Sequence, residues 1–130
     1  MLVVDASVAL WACGAGGRWE GLRESELVAP ALMWSEFSSS LHAALWRREI
    51  RRANALASLA ALDRAPVELR AHSDLRREAW RLADDLGWAK TCDAEYVALA
   101  TLLGTRLVTL DARPRRGADR LGVVVAPGEL

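Results

Sequence analysis

At 130 residues the chain is long enough for one domain that removes about two-thirds of its unfolded surface from water, so it needs no disulfide or metal staple to fold. Hydrophobic residues make up 52% of it, but no run of ~18 uncharged apolar residues occurs, which excludes a membrane-spanning helix. Lys plus Arg and Asp plus Glu both number 17, so net charge points to no particular partner; Lys90 is the one lysine and the remaining positive charge is Arg.

The chain opens on Leu2-Val3-Val4, which runs directly into Asp5 and the small residues Ala6 and Ser7. This reads as a buried strand ending in a carboxylate, and the carboxyl ends of strands are where open α/β sheets hold their ligands. Asp5 also interrupts any leader-like apolar run, and the expectation is a cytoplasmic protein. A short helix follows over Val8 to Cys13, with Asp5 or Ser7 as its cap, and Gly14, Gly16 and Gly17 break it. Arg18 to Ser25 suits a second short helix, and Glu26 to Ala29 a brief strand stopped by Pro30.

A long helix is expected from about Ala31 to Glu49, entered through Pro30. Trp34, Phe37, Leu41 and Leu45 recur on it at intervals of three and four and define a core-facing stripe. Glu36 falls outside that stripe, where it can overlook the edge of a cleft. Arg47, Arg48, Arg51 and Arg52 mark a turn into a second, Ala- and Leu-rich helix over about Arg52 to Leu62, so the two helices read as a hairpin. The planar guanidinium suits phosphate oxygens, so this cluster is a candidate nucleic-acid contact as well as an ordinary solvated corner.

Val67-Glu68-Leu69 is a weak strand, and Ser73 or Asp74 caps a helix running to about Leu86, ended by Gly87. Trp80 on it reads as core or interface packing. In the next helix, ending before Gly104, Tyr96, Val97, Ala100 and Leu103 share one face, and Asp93 joins that face at the helix N-terminus, where amide groups and the dipole offset its charge. Glu95 points away and reads as surface. The strand grammar then returns: Arg106-Leu107-Val108-Thr109-Leu110 runs into Asp111. An Arg-rich turn or short helix containing Arg113, Arg115, Arg116 and Arg120 follows, and Val123 to Val125 forms a last strand. Cys13 and Cys92 lack metal-ligand spacing and read as buried free thiols.

Helical segments alternating with short apolar strands imply parallel pairing through crossovers, hence an α/β fold: a three-layer α/β/α sandwich with a short, mainly parallel sheet, formed by residues 1–130 as a single domain. Such a fold brings Asp5 and Asp111 to strand ends, with Asp93 at a helix start and Glu36 on a flanking helix. Four carboxylates without lysine or histidine partners repel one another, and a divalent cation relieves that repulsion. Magnesium prefers oxygen ligands and keeps several waters, so carboxylates around open positions suit it. Such an ion orients a water, lowers its pKa and stabilises charge on a phosphodiester.

The ordered set Val4-Asp5-Ala6-Ser7, Glu36 within the Trp34 to Ser40 helix, Asp93-Ala94-Glu95-Tyr96-Val97-Ala98-Leu99-Ala100 and Val108-Thr109-Leu110-Asp111-Ala112-Arg113 resembles the successive motifs of PIN-domain ribonucleases, in particular the VapC toxins of bacterial type II toxin-antitoxin pairs. The resemblance covers essentially the whole chain. It implies a Mg2+- or Mn2+-dependent endoribonuclease, commonly a homodimer, held inactive by a cognate VapB-type antitoxin. Carried over by position, Asp5, Asp93 and Asp111 are metal ligands, and Glu36 binds metal directly or through water and helps to position the nucleophile. Ser7 and Thr109 match hydroxyl positions that orient carboxylates or water. Cys92 stands where the family pattern has an aromatic residue, and Pro114 where it has an apolar helix former. Arg47, Arg48, Arg113 and Arg116 are the candidate RNA contacts, and exposed apolar surface near the helical hairpin, including Trp11 or Trp46, the candidate antitoxin surface.

The alternative is a catalytically silent PIN-like RNA- or antitoxin-binding module. Retention of all four acids argues against it, because an unused acidic cluster costs stability. A phosphoacceptor domain wants paired acids at the first strand and a late lysine, and has neither here. Cys13, His42, His72 and Cys92 contain no local pair of zinc ligands. Ser7 lacks both a nearby base and a nucleophile-elbow sequence.

Overall fold

The computed structural model describes residues 1–118 and 121–130. Arg120, one of the arginines of the C-terminal basic stretch, lies outside the described residues.

The sheet is built from β1 (Leu2–Val4), β2 (Leu27–Ala29), β3 (Val67–Leu69), β4 (Arg106–Val108) and β5 (Val124–Val125), in the spatial order β3-β2-β1-β4-β5. Every pairing is parallel, so the sheet is wholly rather than mainly parallel. Parallel strands need crossovers, and the helices supply them: α1 (Ala6–Cys13), α2 (Leu32–Trp46), α3 (Arg52–Asp63), α4 (Leu75–Leu86), α5 (Cys92–Leu103) and α6 (Ala112–Ala118). α1, α2 and α3 pack as one group, while α5 packs on β1 and β4 and is flanked by α4 and α6. The result is an α/β sandwich. Its core is the sheet centre, where Val3, Val4, Val28, Leu107 and Val108 are fully buried, joined by Met33 and Phe37 of α2 and by Val97 and Leu99 of α5.

The chain builds outward from β1 to β2 and β3 on one side, then returns to place β4 and β5 on the other. The strand order therefore reverses between β1 and β4, and the crevice beyond their carboxyl ends is the switch point of the sheet. Register sharpens the placement. Val4 pairs with Val108, so Asp5 and Thr109 are the next residues on each side of that crevice.

Several expectations are corrected. Arg18 to Ser25 is a series of turns rather than a helix, with Leu22 and Arg23 amides both donating to the Trp19 carbonyl. Buried Trp19 and Leu22 pin this loop to the core, and that packing prevails over local helical preference. On α2, Phe37 is fully buried but Trp34, Leu41 and Leu45 are only partly so, and the helix ends at Trp46 rather than Glu49. The distal half of α2 leaves the sheet and packs on α3, so its apolar stripe is shared between the core and an open groove. Trp80 is 66% exposed and lies outside the core, on the open face of α4. Cys13 is buried, whereas Cys92 is half-buried at the start of α5. Pro114 is buried in the first turn of α6, where a missing N–H is harmless.

Candidate active site

Asp5 is fixed by three donors. It is the N-cap of α1 and accepts from the Val8 amide at 3.1 Å. Ser7 Oγ donates to its Oδ1 at 2.6 Å, and Thr109 Oγ1 donates to its Oδ2. The two hydroxyls are themselves held by the returning chain, because the Leu110 amide donates to Ser7 Oγ at 3.0 Å and the Asp111 amide to Thr109 Oγ1 at 2.9 Å. A continuous hydrogen-bonded path thus runs from the end of β1 to the loop after β4. Burial pushes the Asp5 carboxyl upward in spite of these donors, and the charge of Asp111 adds to the effect.

Asp111 sits on the opposite lip. Arg113 grips it in a fork, with Nη2 at 3.0 Å from Oδ2 and its backbone amide at 2.9 Å from Oδ1. The guanidinium holds this carboxyl below its ordinary value. Glu36, on the second turn of α2, accepts from the hydroxyl of Tyr96 on α5. Partial burial raises Glu36, the tyrosine opposes that rise, and the charges of Asp93 and Asp5 reinforce it. Asp93, in the first turn of α5, is also raised by partial burial, with Arg113 lowering it and Asp111 raising it.

Asp5, Glu36, Asp93 and Asp111 all line one small cleft of about 150 Å³, together with Ser7, Tyr96 and Arg113. Arg116 is one turn further along α6, close enough for its charge to act on Asp111. Arg47 and Arg48 are elsewhere. They stand at the α2–α3 corner, about 16 Å along the helix from Glu36, where Arg47 pairs with Glu49 at 2.8 Å.

Comparison with known protein families matches residues 2–120 to the PIN domain. The chain belongs to the PIN-domain family. No curated protein matches it. PIN domains are generally metal-dependent nucleases, commonly found in toxin-antitoxin systems, and the family places this chain among RNA-binding hydrolases. No helix among the described residues is long and apolar enough to cross a membrane.

The donor set of this PIN domain suits a hard cation: carboxylate oxygens in a partly desolvated cleft, with Arg113 as the adjoining cation. Among the described residues, no three His, Cys, Asp or Glu side chains are grouped tightly enough to hold an ion as they stand. An open rim of carboxylates leaves room for a divalent cation held through one or two carboxylates and several waters rather than by a closed cage.

Two groups near the cleft carry no mark in the local sequence pattern. Tyr96 reads as one more apolar residue on α5, yet its hydroxyl holds Glu36, and burial beside that carboxylate raises its pKa strongly. The one signal is indirect: a tyrosine on a core face needs a partner for its hydroxyl. Glu95, expected at the surface, is half-buried, and burial with the nearby charge of Glu36 raises it. Helical spacing alone could not show that α4 covers that side of α5.

Proposed function

We propose that this PIN domain, spanning the chain as a single nuclease domain, is the toxin of a type II toxin-antitoxin pair of the VapC kind, a cytoplasmic endoribonuclease using Mg2+ or Mn2+. The observation that carries the reading is the placement of four carboxylates, from four separate stretches of chain, around one cleft at the switch point of the sheet. Asp5, Glu36, Asp93 and Asp111 would hold the cation. When bound, it supplies a more acidic water and neutralises charge on the phosphodiester. Ser7 and Thr109 fix the orientation of Asp5, and Tyr96 fixes that of Glu36. Arg113 stands where it can exchange a carboxylate for a phosphate oxygen, with Arg116 behind it.

An antitoxin of the VapB kind would seat on the groove between α2 and α3, about 770 Å³, lined by Leu41, Leu45, Trp46, Leu56 and Leu59. Trp46 is 81% exposed there. Trp11, the other candidate, is also exposed, on α1. A homodimer is the assembly the resemblance implies, and light scattering on the purified chain tests it.

One observation favours the silent-module alternative: the Arg113 fork engages both oxygens of Asp111. A single experiment separates the two readings. Purified protein freed of antitoxin is incubated with a mixed cellular RNA pool, with magnesium, manganese or chelator, beside an Asp93→Asn control. Metal-dependent cutting that vanishes in the control is expected. A folded protein that cuts nothing in the pool would shift the reading to the binding module.

A further inference from the structure

A second pocket of about 450 Å³ opens beside the acid cleft and shares Glu36, Asp93 and Arg113 with it. Its far side is formed by Trp88 and Lys90. Trp88 is held in place from two directions. Its amide donates to the Ala83 carbonyl at 2.8 Å, across the left-handed Gly87 that ends α4, which fixes the backbone. The Nε1, Cε2 and Cζ2 edge of its indole lies where a side chain on residue 117 would be, since a β-carbon at Gly117 would stand 2.4–2.7 Å from those atoms. Only glycine at that position of α6 lets the ring lie there. Trp88 is half-buried and lines the pocket. Lys90 is exposed and enters no ion pair among the described residues.

The pocket thus combines a fixed aromatic surface and an unpaired ammonium with Arg113, and it shares two carboxylates with the cleft. Its volume lies in the range of ~300–1,000 Å³ that small-molecule sites occupy. Single-stranded nucleic acids are held by this combination, bases stacking on aromatic rings while cations follow the backbone. We propose that this pocket receives the unpaired nucleobase adjoining the phosphate at the acid cleft, with Trp88 as its stacking surface and Lys90 as the contact to the neighbouring phosphate. The assignment rests on the ribonuclease reading for the identity of the ligand. Trp88 and Lys90 are binding residues in it and take no part in the chemistry.

The test measures binding without cleavage. A short fluorescein-labelled single-stranded RNA is titrated with the protein in EDTA and followed by anisotropy, and each nucleotide in turn is replaced by an abasic one. In the wild type, one abasic position is expected to weaken binding roughly tenfold, the size of one base-aromatic stack. Trp88→Ala should weaken the intact RNA by a similar factor and abolish the further loss at that position. Trp88→Phe, which keeps a ring, should recover most of the affinity and guards against misfolding of the alanine variant. Lys90→Gln should weaken binding several-fold at every position and reduce the salt dependence by about one counterion.

Equal affinities for the wild type, Trp88→Ala and Lys90→Gln would overturn the proposal, as would a wild type with no abasic-sensitive position or no binding. These results are separable from the nuclease reading. RNA cutting with no Trp88 dependence removes only the subsite, whereas Trp88-dependent binding without cutting removes only the nuclease.

Discussion

Asp5 and Asp111 share the same pattern of sequence, an apolar strand running into a carboxylate, and lie on opposite sides of one cleft. Their surroundings are nonetheless opposite. Asp5 is buried and held by neutral donors, so desolvation dominates and its carboxyl is raised. Asp111 is more open and gripped by a guanidinium, so a charge partner dominates and its carboxyl is lowered. The cause is the path of the chain beyond each strand. Both acids precede a helix and accept from an amide of its first turn, but Asp5 follows β1 directly and is drawn under α1, whereas Asp111 stands three residues beyond β4, with Thr109 and Leu110 between. One acid is part of the framework and the other is attached to it.

The largest contrast should be in stability. Asp5→Ala removes a helix cap and the common acceptor of three donors, and a loss of about 2–3 kcal/mol is expected from the cap and one buried unsatisfied donor. That corresponds to a fall of ~10 °C in Tm. Asp111→Ala, measured in the same thermal denaturation, should fall by no more than about 5 °C, because it loses the bond from the Arg113 amide at the start of α6 and a largely exposed ion pair but leaves no buried donor unsatisfied. Equal falls would show that the two acids are alike in structural weight. Both variants are expected to lose RNA cleavage.

Thr109→Val tests the link between the two. The hydroxyl donates to Asp5 and accepts from the Asp111 amide, so this nearly isosteric change should cost about 1–2 kcal/mol. Combined with Asp5→Asn it should be non-additive by at least ~0.5 kcal/mol, the mark of residues in one hydrogen-bonded network. Strict additivity would mean that the chain of hydrogen bonds across the switch point is not energetically coupled.

Acid dependence should then separate the pair by sign. A raised folded-state pKa means that ionised Asp5 opposes folding above its ordinary value, so stability falls as pH rises toward the folded value. Asp5→Asn removes that opposition, and its Tm relative to wild type should improve from pH 3 to pH 7. A lowered pKa means that ionised Asp111 favours folding above the ordinary value of 3.8, and that this contribution fades as pH falls through the lower folded value. Asp111→Asn should therefore compare worse with wild type at pH 7 than at pH 3. Parallel pH profiles for the two variants would contradict the assignment of opposite shifts.

Much of this arrangement is legible in the sequence because the strand cores are short apolar runs with marked ends, Asp5 after the first, Pro30 after the second and Asp111 shortly beyond the fourth. Leu2 to Val4, Leu27 to Ala29 and Arg106 to Val108 are strands for that reason, and even Val67 to Leu69 pairs as a strand. The α2–α3 hairpin and the stop at Gly87 follow from periodicity and a left-handed C-terminal residue. What is not legible depends on tertiary contact. The segment around Trp19 has helical composition but is anchored into the core as turns. Arg47 and Arg48 form the densest basic run with Arg51 and Arg52, yet helix length carries them away from the cleft, while Arg113 reaches it. Tyr96 and Glu36 are 60 residues apart in sequence, and no local pattern joins a core-facing tyrosine to a half-exposed glutamate.

The smallest and most selective effect is expected from Arg113→Gln. The guanidinium is exposed, so folding stability should change by no more than about 2 °C in Tm. Its charge, however, lowers Asp111 and, to a lesser extent, opposes the rise of Asp93 and Glu36. In a carboxyl-carbon NMR titration, Asp111 should move up toward its ordinary value, and Asp93 and Glu36 should rise further. Asp5 should move much less, because its shift is set mainly by burial, the hydroxyls of Ser7 and Thr109 and the Val8 amide, and the charge of Asp111 is only the smallest of its causes. An Asp5 signal that moved as far as that of Asp111 would mean that the two acids share one electrostatic environment, and the division between a framework acid and an attached one would fail.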